Sequence, residues 1–373
     1  MPKYKFTEFA INSTEKKKPT EADKETYIGL EHLDSGTLTV SRWGAEVAPI
    51  GEKLLMKKGD VLFGKRRAYQ KKVGIAPFDG IFSAHGMVLR PREEVITKEY
   101  FPLFISSDYF LNEAIRISVG SLSPTVNWKD LKELEFSIPT IEEQRRITPL
   151  VWAAIKAKEA YKKQIAATDN LVKSQFIEMF GSEKRSGRLD EICDYFGDGD
   201  WIESKDQSEK GIRLIQTGNV GNGEYKDKDD KARYISEDTF ERLGCTEVYP
   251  GDVLISRLPD PIGRACIVPE MQKAITAVDC TIVRLKECML PTYFVNFTKT
   301  PMYTAQIDSF TTGSTRKRVS RANLGSVVVP VPDMHLQKQF VAIAEQSDKS
   351  KLFGVKHRIE NFTGGYLCLM KQN

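Results

Sequence analysis

The sequence predicts an α+β protein in which two similar globular domains are joined by two long antiparallel helices, with a pseudo-twofold internal repeat. Three observations lead to this prediction. The chain has 373 residues, which exceeds one ordinary domain of about 100–200 residues. Several segments occur twice in the same order, and each copy ends in a stretch with helical periodicity. The two helices are therefore expected to pair as a coiled-coil spacer between the domains.

The internal repeat is clearest in the text "GDVL", which begins at Gly59 and again at Gly251. The other matches pair "YIGLEHLDSG" (27–36) with "LIQTGNVGNG" (214–223), "VGSLSPTVNWKDL" (119–131) with "TGSTRKRVSRANL" (312–324), and "IPTIEEQRRI" (138–147) with "VPDMHLQKQF" (331–340). The offsets drift by only a few residues, as loop insertions would produce. Such ordered self-similarity is the signature of a duplicated structural unit.

Each half follows the same order of elements. Strand-type runs rich in Val and Ile come first, followed by an aromatic segment that indicates one or two short helices. A Gly-Ser loop and a short strand ending at Pro139 or Pro332 come next, and the last quarter is helical. The predicted boundaries are residues 1–140 for the first domain, 141–181 for the first helix, 182–333 for the second domain and 334–373 for the second helix.

The first long helix is predicted from about Glu142 to Phe180, where Gly181 supplies a stop and Pro149 a possible kink. Its apolar seam recurs at alternating spacings of four and three, at Ile147, Val151, Ala154, Lys158, Tyr161, Ile165, Thr168, Val172, Gln175 and Met179. The second helix is expected to begin near His335 and to be weakened by Gly364 and Gly365. A helix of this length, at about 1.5 Å per residue, spans about 58 Å.

Composition excludes several classes of protein. The six cysteines never fall in a C-x-x-C spacing, and the four histidines have no partners at metal-ligand spacing, so no metal site and no disulfide framework are expected. No stretch reaches the length of about 18–20 apolar residues that a membrane span requires, and "MPKYKFTEFA" has no apolar core of a signal peptide. The expected location is the cytoplasm, without a membrane partner.

Clusters of positive charge are the candidate functional residues. The net charge of +4 is too small to indicate a nucleic-acid partner by itself, so the position of the charges has to decide. The candidates are Lys65, Arg66, Arg67, Tyr69, Lys71, Lys72, Thr125 and Asn127 in the first half, and Arg257, Arg264, Arg316, Lys317, Arg318 and Arg321 in the second. Cationic loops bind phosphates, and Arg, Lys, Asn or Thr at loop tips can contact base edges.

Two such heads on a rigid spacer would contact separate short sites on one DNA duplex. About 58 Å of helix corresponds to about seventeen base steps at about 3.4 Å each. The basic cluster could instead be a solvated strand edge that prevents aggregation. His85 is interpreted as a structural histidine, and the glycine-rich texts "YFGDGD" (195–200) and "GNVGNG" (218–223) as turns rather than nucleotide loops.

The doubled order of domain and helix, with "GDVLFGKRRAYQKKVGIAPFDGIFSAHGMVLRP", "GSLSPTVNW" and "IPTIEEQRRI", resembles the specificity subunit of type I restriction–modification systems. The resemblance covers essentially the whole chain. It implies two target-recognition domains, each of which reads one half of a split sequence in double-stranded DNA, and a two-helix coiled coil that sets the gap. The sequence departs from the family pattern at "MHLQ" (334–337). This segment corresponds to "IEEQ" of the first half and keeps its glutamine, as Gln337, but not its two glutamates.

The resemblance also implies the partners of the chain, which are two methyltransferase subunits and, in the restricting complex, nuclease–translocase subunits. S-adenosylmethionine would be bound by the methyltransferase, and no cofactor by this chain. Two alternatives stay open, a scaffold whose heads do not read DNA and a self-contained DNA-modifying enzyme. The enzyme would be expected to carry an Asn-Pro-Pro-aromatic or Asp-Pro-Pro-aromatic tetrapeptide, which the sequence lacks.

Overall fold

The computed structural model describes residues 1–313 and 317–349. They divide into two compact units, the first comprising Met1–Lys158 and the second beginning at Glu159. Each unit has its own hydrophobic cores. The two units are therefore described one after the other.

The first unit is a mixed α and β structure. Its strands are β1 (Lys3–Lys5), β2 (Ala10–Ser13), β3 (Lys16–Lys17), β4 (Tyr27–Ile28), β5 (Lys53–Met56), β6 (Val61–Phe63), β7 (Val73–Ile75), β8 (Gly80–Phe82), β9 (Met87–Pro91) and β10 (Glu135–Ser137). Its helices are α1 (Phe6–Phe9), α2 (Phe101–Ile105), α3 (Asp108–Arg116), α4 (Trp128–Leu131) and the start of the long α5 (Ile141–Phe180). One antiparallel sheet has the order β2-β9-β6-β7, and another has the order β3-β5-β8-β4, with β4 and β8 parallel.

The second unit repeats this plan. Its strands are β11 (Ser186–Arg188), β12 (Cys193–Asp198), β13 (Ile212–Ile215), β14 (Tyr234–Ile235), β15 (Val253–Ser256), β16 (Ala265–Ile267), β17 (Ala274–Thr276), β18 (Cys280–Leu285) and β19 (Val328–Pro330). Its helices are α6 (Glu237–Leu243), α7 (Pro291–Phe297), α8 (Pro301–Phe310), α9 (Arg321–Gly325) and α10, which includes residues 334–349. The order β12-β18-β15-β16 matches that of the first antiparallel sheet, and β13 and β17 pair in parallel as β4 and β8 do. The sequence repeat is thus a repeat of local structure.

The repeated Gly-Asp sequence forms a tight turn that hydrogen bonds and an ion pair hold to the sheet. In the first unit Gly59 has φ +91°, a conformation that favours glycine. The buried Asp60 carboxylate accepts the Lys57 N–H at 2.8 Å and both Arg90 Nε and Nη2, at 2.8 and 2.9 Å. Arg90 lies on β9, so the turn before β6 is locked to the neighbouring strand by a bidentate ion pair.

The second unit has the same fastening. Gly251 has φ +90°, and the Asp252 carboxylate accepts the Tyr249 N–H at 2.9 Å. Arg284 on β18 donates to both Asp252 oxygens, at 2.9 and 2.8 Å, and its guanidinium lies 4.4 Å from the Tyr249 ring centroid. The recurrence of "GDVL" therefore reflects a structural requirement of each sheet and not a binding motif.

Replacing Asp60 by alanine is expected to destabilise the first unit by about 2 kcal/mol, because the Arg90 guanidinium and the Lys57 N–H both lose their partner. Urea denaturation, followed through the transition of the first unit, measures the change. Asp79→Ala is the matched control, since exposed Asp79 accepts a single N–H from Lys58. Equal midpoints for the two variants would contradict the fastening role.

A buried glutamine anchors the start of each long helix. Gln144 is 0% exposed; its Nε2 donates to the carbonyls of Val95 (2.9 Å) and Pro139 (2.8 Å), and its Oε1 accepts the Thr97 N–H (2.7 Å). Gln337, also 0% exposed, makes the same three bonds, to the Cys288 and Pro332 carbonyls and from the Leu290 N–H. A carboxylate could not donate the two bonds, which explains why "MHLQ" keeps the glutamine.

The long helix predicted to end at Phe180 is present as α5 and continues through Pro149. In the first unit, Ile147, Val151 and Ile155 pack against the main core. In the second unit, the Phe176 ring lies 5.1 Å from that of Phe340 on α10. The rest of the predicted second helix, including Gly364 and Gly365, lies outside the described residues.

One predicted turn is wrong. In "YFGDGD", Tyr195–Asp198 belong to strand β12, which pairs with β18. Gly199 is required by close approach, because an added Cβ would lie 2.3 Å from the Thr276 carbonyl oxygen. Among the helices of the described residues, none is both long enough and apolar enough to span a membrane.

Candidate nucleic-acid interface

Three loops of the first unit meet at one end of its antiparallel sheet. They are residues 64–72, 83–86 and 118–126. Backbone hydrogen bonds join them, from Arg66 N–H to the His85 carbonyl (3.2 Å), from Arg67 N–H to the Pro124 carbonyl (2.7 Å) and from Val126 N–H to the Lys65 carbonyl (3.0 Å). The main chain thus fixes the loops without using their side chains.

The exposed side chains of this first loop cluster include cations and an aromatic ring, beside the apolar Val119 and Leu122 of its third loop. Arg66 and Arg67 are exposed, and Tyr69 is 53% exposed. Arg67 Nε donates to Ser123 Oγ at 3.3 Å. Arg67 also has φ +55°, a left-handed conformation that costs an arginine free energy and is held by the neighbouring loop. The cluster presents two guanidinium groups and a phenol to solvent.

The lysines of the predicted cluster differ in their surroundings. Lys71 Nζ forms an ion pair with Asp108 at 2.5 Å, and Lys72 Nζ donates to the Leu30 carbonyl at 2.7 Å. Lys65 is half-buried, and this burial, followed by repulsion from Lys16, lowers the pKa of its ammonium group. Lys72 therefore fastens its loop to a segment 42 residues earlier, whereas Arg66 and Arg67 point charge outward.

Thr125 and Asn127 lie on the third loop. Thr125 exchanges both backbone bonds with Val119, at 3.0 and 2.9 Å, and its Oγ1 donates to the Ser123 carbonyl at 3.1 Å. Asn127 is exposed and is the N-cap residue of α4. Of these two predicted contact residues, Asn127 has the more accessible side chain.

Arg264 in the second unit, a predicted contact residue, is buried. It is 9% exposed, and its guanidinium donates to four backbone carbonyls, those of Thr217 (2.8 Å), Val220 (2.7 Å), Leu258 (2.7 Å) and Pro261 (3.0 Å). Arg264 is the counterpart of Lys72 in the register of the sheet. The backbone carbonyl of Arg264 accepts the Ser256 N–H, and that of Lys72 accepts the Gly64 N–H. Burial in this carbonyl cage makes Arg264 a loop anchor, an arrangement that does not favour the predicted DNA contact, which stays a prediction.

Arg257 is also interior, at 6% exposed. Its Nη2 donates to the Val278 carbonyl at 2.8 Å and lies 3.4 Å from the Asp198 carboxylate and 3.9 Å from that of Asp279. Its backbone carbonyl accepts the Val319 N–H, as that of Lys65 accepts the Val126 N–H. The predicted DNA contact of Arg257 is likewise not favoured, since carboxylates within the unit neutralise its charge, and it stays a prediction.

The exposed members of the predicted contact set in the second unit lie on or beside its Gly-Ser loop. Lys317 and Arg318 are exposed, and Arg318 exchanges backbone bonds with Thr312, both at 3.0 Å. Arg321 is exposed and lies 4.0 Å from the Asp198 carboxylate. The predicted contact residue Arg316 lies outside the described residues.

Comparison with known proteins assigns both units to one family. The family model of the type I restriction modification DNA specificity domain matches residues 9–166 and again residues 182–361. The chain belongs to this family. The match covers both halves of this specificity-family chain and confirms the resemblance found in its sequence.

Individual relatives of the specificity-family chain agree with this assignment. It is 25% identical over 185 residues to the type I restriction enzyme EcoDI specificity subunit of Escherichia coli, a match that spans 48% of this chain and 41% of that protein's length. A solved chain from a study of complex assembly and conformational transition of the type I R-M system matches with a TM-score of 0.52 and 20% identity, covering 96% of this chain and 94% of that one. The type I restriction-modification S subunit from M. genitalium matches with a TM-score of 0.53 and 14% identity, covering 99% and 95%. The two structures show a shared fold.

Sequence reasoning about the specificity-family chain missed His85. It was interpreted as structural, yet it is exposed, and its Nε2 lies 3.4 Å from Arg66 Nη1. Partial burial, followed by repulsion from Arg66, Lys65 and Lys53, lowers the pKa of its imidazole. Lys53 belongs to β5 and the basic cluster follows β6, so the fold rather than a local pattern joins Lys53 to this surface.

Within the part of the chain that the structure describes, side chains form no metal-ligating cluster, and Cys266 and Cys280 are not activated thiols. In residues 1–313 and 317–349, no group of three or more His, Cys, Asp or Glu side chains could hold a metal ion. Burial raises the pKa of the Cys266 thiol to about 12 and that of Cys280 to about 11. Both therefore stay protonated at neutral pH and do not act as nucleophiles.

Proposed function

We propose that this chain is a non-catalytic subunit that recognises a bipartite sequence in double-stranded DNA, one half-site per unit. The observation that carries the proposal is the pair of loop clusters, which share a main-chain scaffold but present different exposed side chains. Arg66, Arg67 and Tyr69 are exposed in one cluster, and Lys317 and Arg318 in the other. Two related scaffolds with different tips suit two different half-sites. The family match over both units supports this function.

The long helix is the proposed spacer between the half-sites. All ten residues of the predicted seam in α5 are partly or fully buried, although several charged residues between them are exposed. We propose that α5 and the helix beginning at residue 334 pair antiparallel as a coiled coil, between target-recognition domains at 1–140 and 182–333. The resulting pseudo-twofold arrangement would set the gap between the half-sites.

The proposed partners supply the chemistry. Two methyltransferase subunits, which bind S-adenosylmethionine, would methylate adenine in the recognised sequence, and nuclease–translocase subunits would join the restricting complex in the cytoplasm. This chain would catalyse no step of the reaction, because phosphate contacts position a protein on the duplex and base contacts specify its site. The contribution of this chain is therefore position and sequence choice.

Methylation mapping tests the proposal. DNA from cells that co-express this chain with a methyltransferase subunit is sequenced by a single-molecule method that detects methyl-adenine. A split motif that appears only with the chain supports recognition and gives both half-sites. A stable complex without any motif would favour a scaffold, and methyl transfer by the purified chain alone would favour a self-contained enzyme.

Deleting four residues from the middle of α5, residues 160–163, is expected to shift the gap between the half-sites by about one to two base pairs. Four helical residues span about 6 Å, and a base step is about 3.4 Å. Methylation mapping of the variant measures the gap. The matched control replaces the same four residues by alanine without a change in length. An unchanged gap after the deletion would refute the spacer role.

A further inference from the structure

A tight turn presents His85 beside the first loop cluster. The turn Ser83–Gly86 joins β8 to β9 and is closed by the Gly86 N–H, which donates to the Ser83 carbonyl at 3.0 Å. A Cβ on Gly86 would lie 2.1 Å from the Phe82 ring, so the main chain is pressed against the core at this point. The turn is thus rigidly seated, while His85 itself is exposed.

The second unit has the same turn with a different residue at the same place. The turn 277–280 joins β17 to β18, and the Cys280 N–H donates to the Ala277 carbonyl at 2.8 Å. Asp279 occupies the third position, as His85 does in the first unit. Its carbonyl accepts the Arg257 N–H at 2.9 Å, and its side chain is 34% exposed.

The two side chains offer opposite hydrogen-bonding groups. The Arg66 guanidinium can only donate, so a bond to His85 Nε2 leaves Nδ1 as the protonated donor of the neutral imidazole. Partial burial, followed by the surrounding cations, favours this neutral form. The Asp279 carboxylate can only accept. In the major groove, guanine N7 and O6, adenine N7 and thymine O4 are acceptors, whereas the cytosine and adenine amino groups are donors.

We propose that His85 and Asp279 are equivalent specificity residues, each of which contacts one base edge of its half-site. His85 donates to an acceptor edge, and Asp279 accepts from the amino group of cytosine or adenine. This inference rests on the proposed DNA-recognition function and deepens it by naming the side chains that discriminate bases. The exposed arginines nearby then supply phosphate contacts and not sequence choice.

The test compares the methylation motifs of the wild-type chain and of His85→Ala, His85→Gln and Asp279→Asn, each in complex with the methyltransferase subunits. His85→Ala is expected to lower the preference at one base position of one half-site by about tenfold or more, with the other half-site unchanged. Asp279→Asn should relax one position of the other half-site. His85→Gln, which retains a donor, should keep more of the preference than alanine.

Ala84→Ser is the matched control, because Ala84 is the exposed neighbour of His85 on the same turn. Thermal melts equal to that of the control show that the variants fold. An unchanged motif in both His85 variants would overturn the inference, and so would a uniform loss of methylation at every position. Absence of any motif with the wild-type chain would instead refute the DNA-recognition function itself.

Discussion

Reversal of the charges of Arg66 and Arg67 to glutamate is expected to lower the affinity for a DNA duplex on the order of 100-fold at low salt. Both guanidinium groups are exposed at the tip of the first loop cluster, and no carboxylate ion pair is formed by either within the described residues. Each lost phosphate contact should reduce the slope of log affinity against log salt by about 0.9. The reduction expected for the double variant is about two.

The measurement is a salt titration of DNA binding by the assembled complex. The matched control is the double variant Lys57→Glu with Lys58→Glu, which changes the net charge by the same amount. Lys57 and Lys58 lie before β6, whereas Arg66 and Arg67 lie after this strand, in the loop cluster. The control should keep the affinity within about twofold. Lys317→Glu with Arg318→Glu should repeat the loss from the second unit. If assembly persists and affinity is unaltered in both units, the scaffold hypothesis is favoured.

Replacing Gln144 by alanine is expected to destabilise the first unit by about 4 kcal/mol, the largest stability effect among these variants. The side chain is 0% exposed, so water cannot satisfy the two carbonyls of Val95 and Pro139 or the Thr97 N–H that it leaves behind. Each unsatisfied buried group costs about 1–3 kcal/mol. Gln337→Ala should have a similar effect on the second unit.

Urea denaturation of the variants, with the two units followed separately, measures these changes. The control is Glu142→Ala, an exposed neighbour on the same first turn of α5, which should cost less than about 1 kcal/mol. Gln144→Glu should be nearly as damaging as alanine, because a carboxylate loses both donors and would be buried with its charge. A Gln144→Ala variant as stable as the control would contradict the anchoring role.

The sequence predicted the features that depend on periodicity and repetition. The seam from Ile147 to Met179 predicted a long helix, and α5 ends at Phe180 as expected. The aromatic segments were expected to form one or two short helices, and each forms two, α2 with α3 and α7 with α8. These features depend on residues that are close together in the sequence, so the sequence alone predicts them.

The side-chain roles within the basic clusters could not be predicted in the same way. Arg66 and Lys72 are both cations in one short stretch, yet Lys72 is directed to the Leu30 carbonyl, 42 residues away. Arg264 reaches back 47 residues to Thr217. Such contacts depend on which loops the fold brings together, and composition does not predict which loops meet. The surroundings of His85 could not be predicted for the same reason, because Lys53 lies on β5 whereas Lys65 and Arg66 lie on the loop after β6.

The fastening of each Gly-Asp turn has a consequence for how such a chain can change over generations. The Asp60–Arg90 and Asp252–Arg284 pairs hold their sheets from the end of the strand away from the loop tips. Mutations at exposed tip positions therefore leave stability almost untouched, typically within about 0.5 kcal/mol. New base preferences can then arise by single substitutions without an intermediate that fails to fold. The loop tips of one unit can change while those of the other unit stay the same.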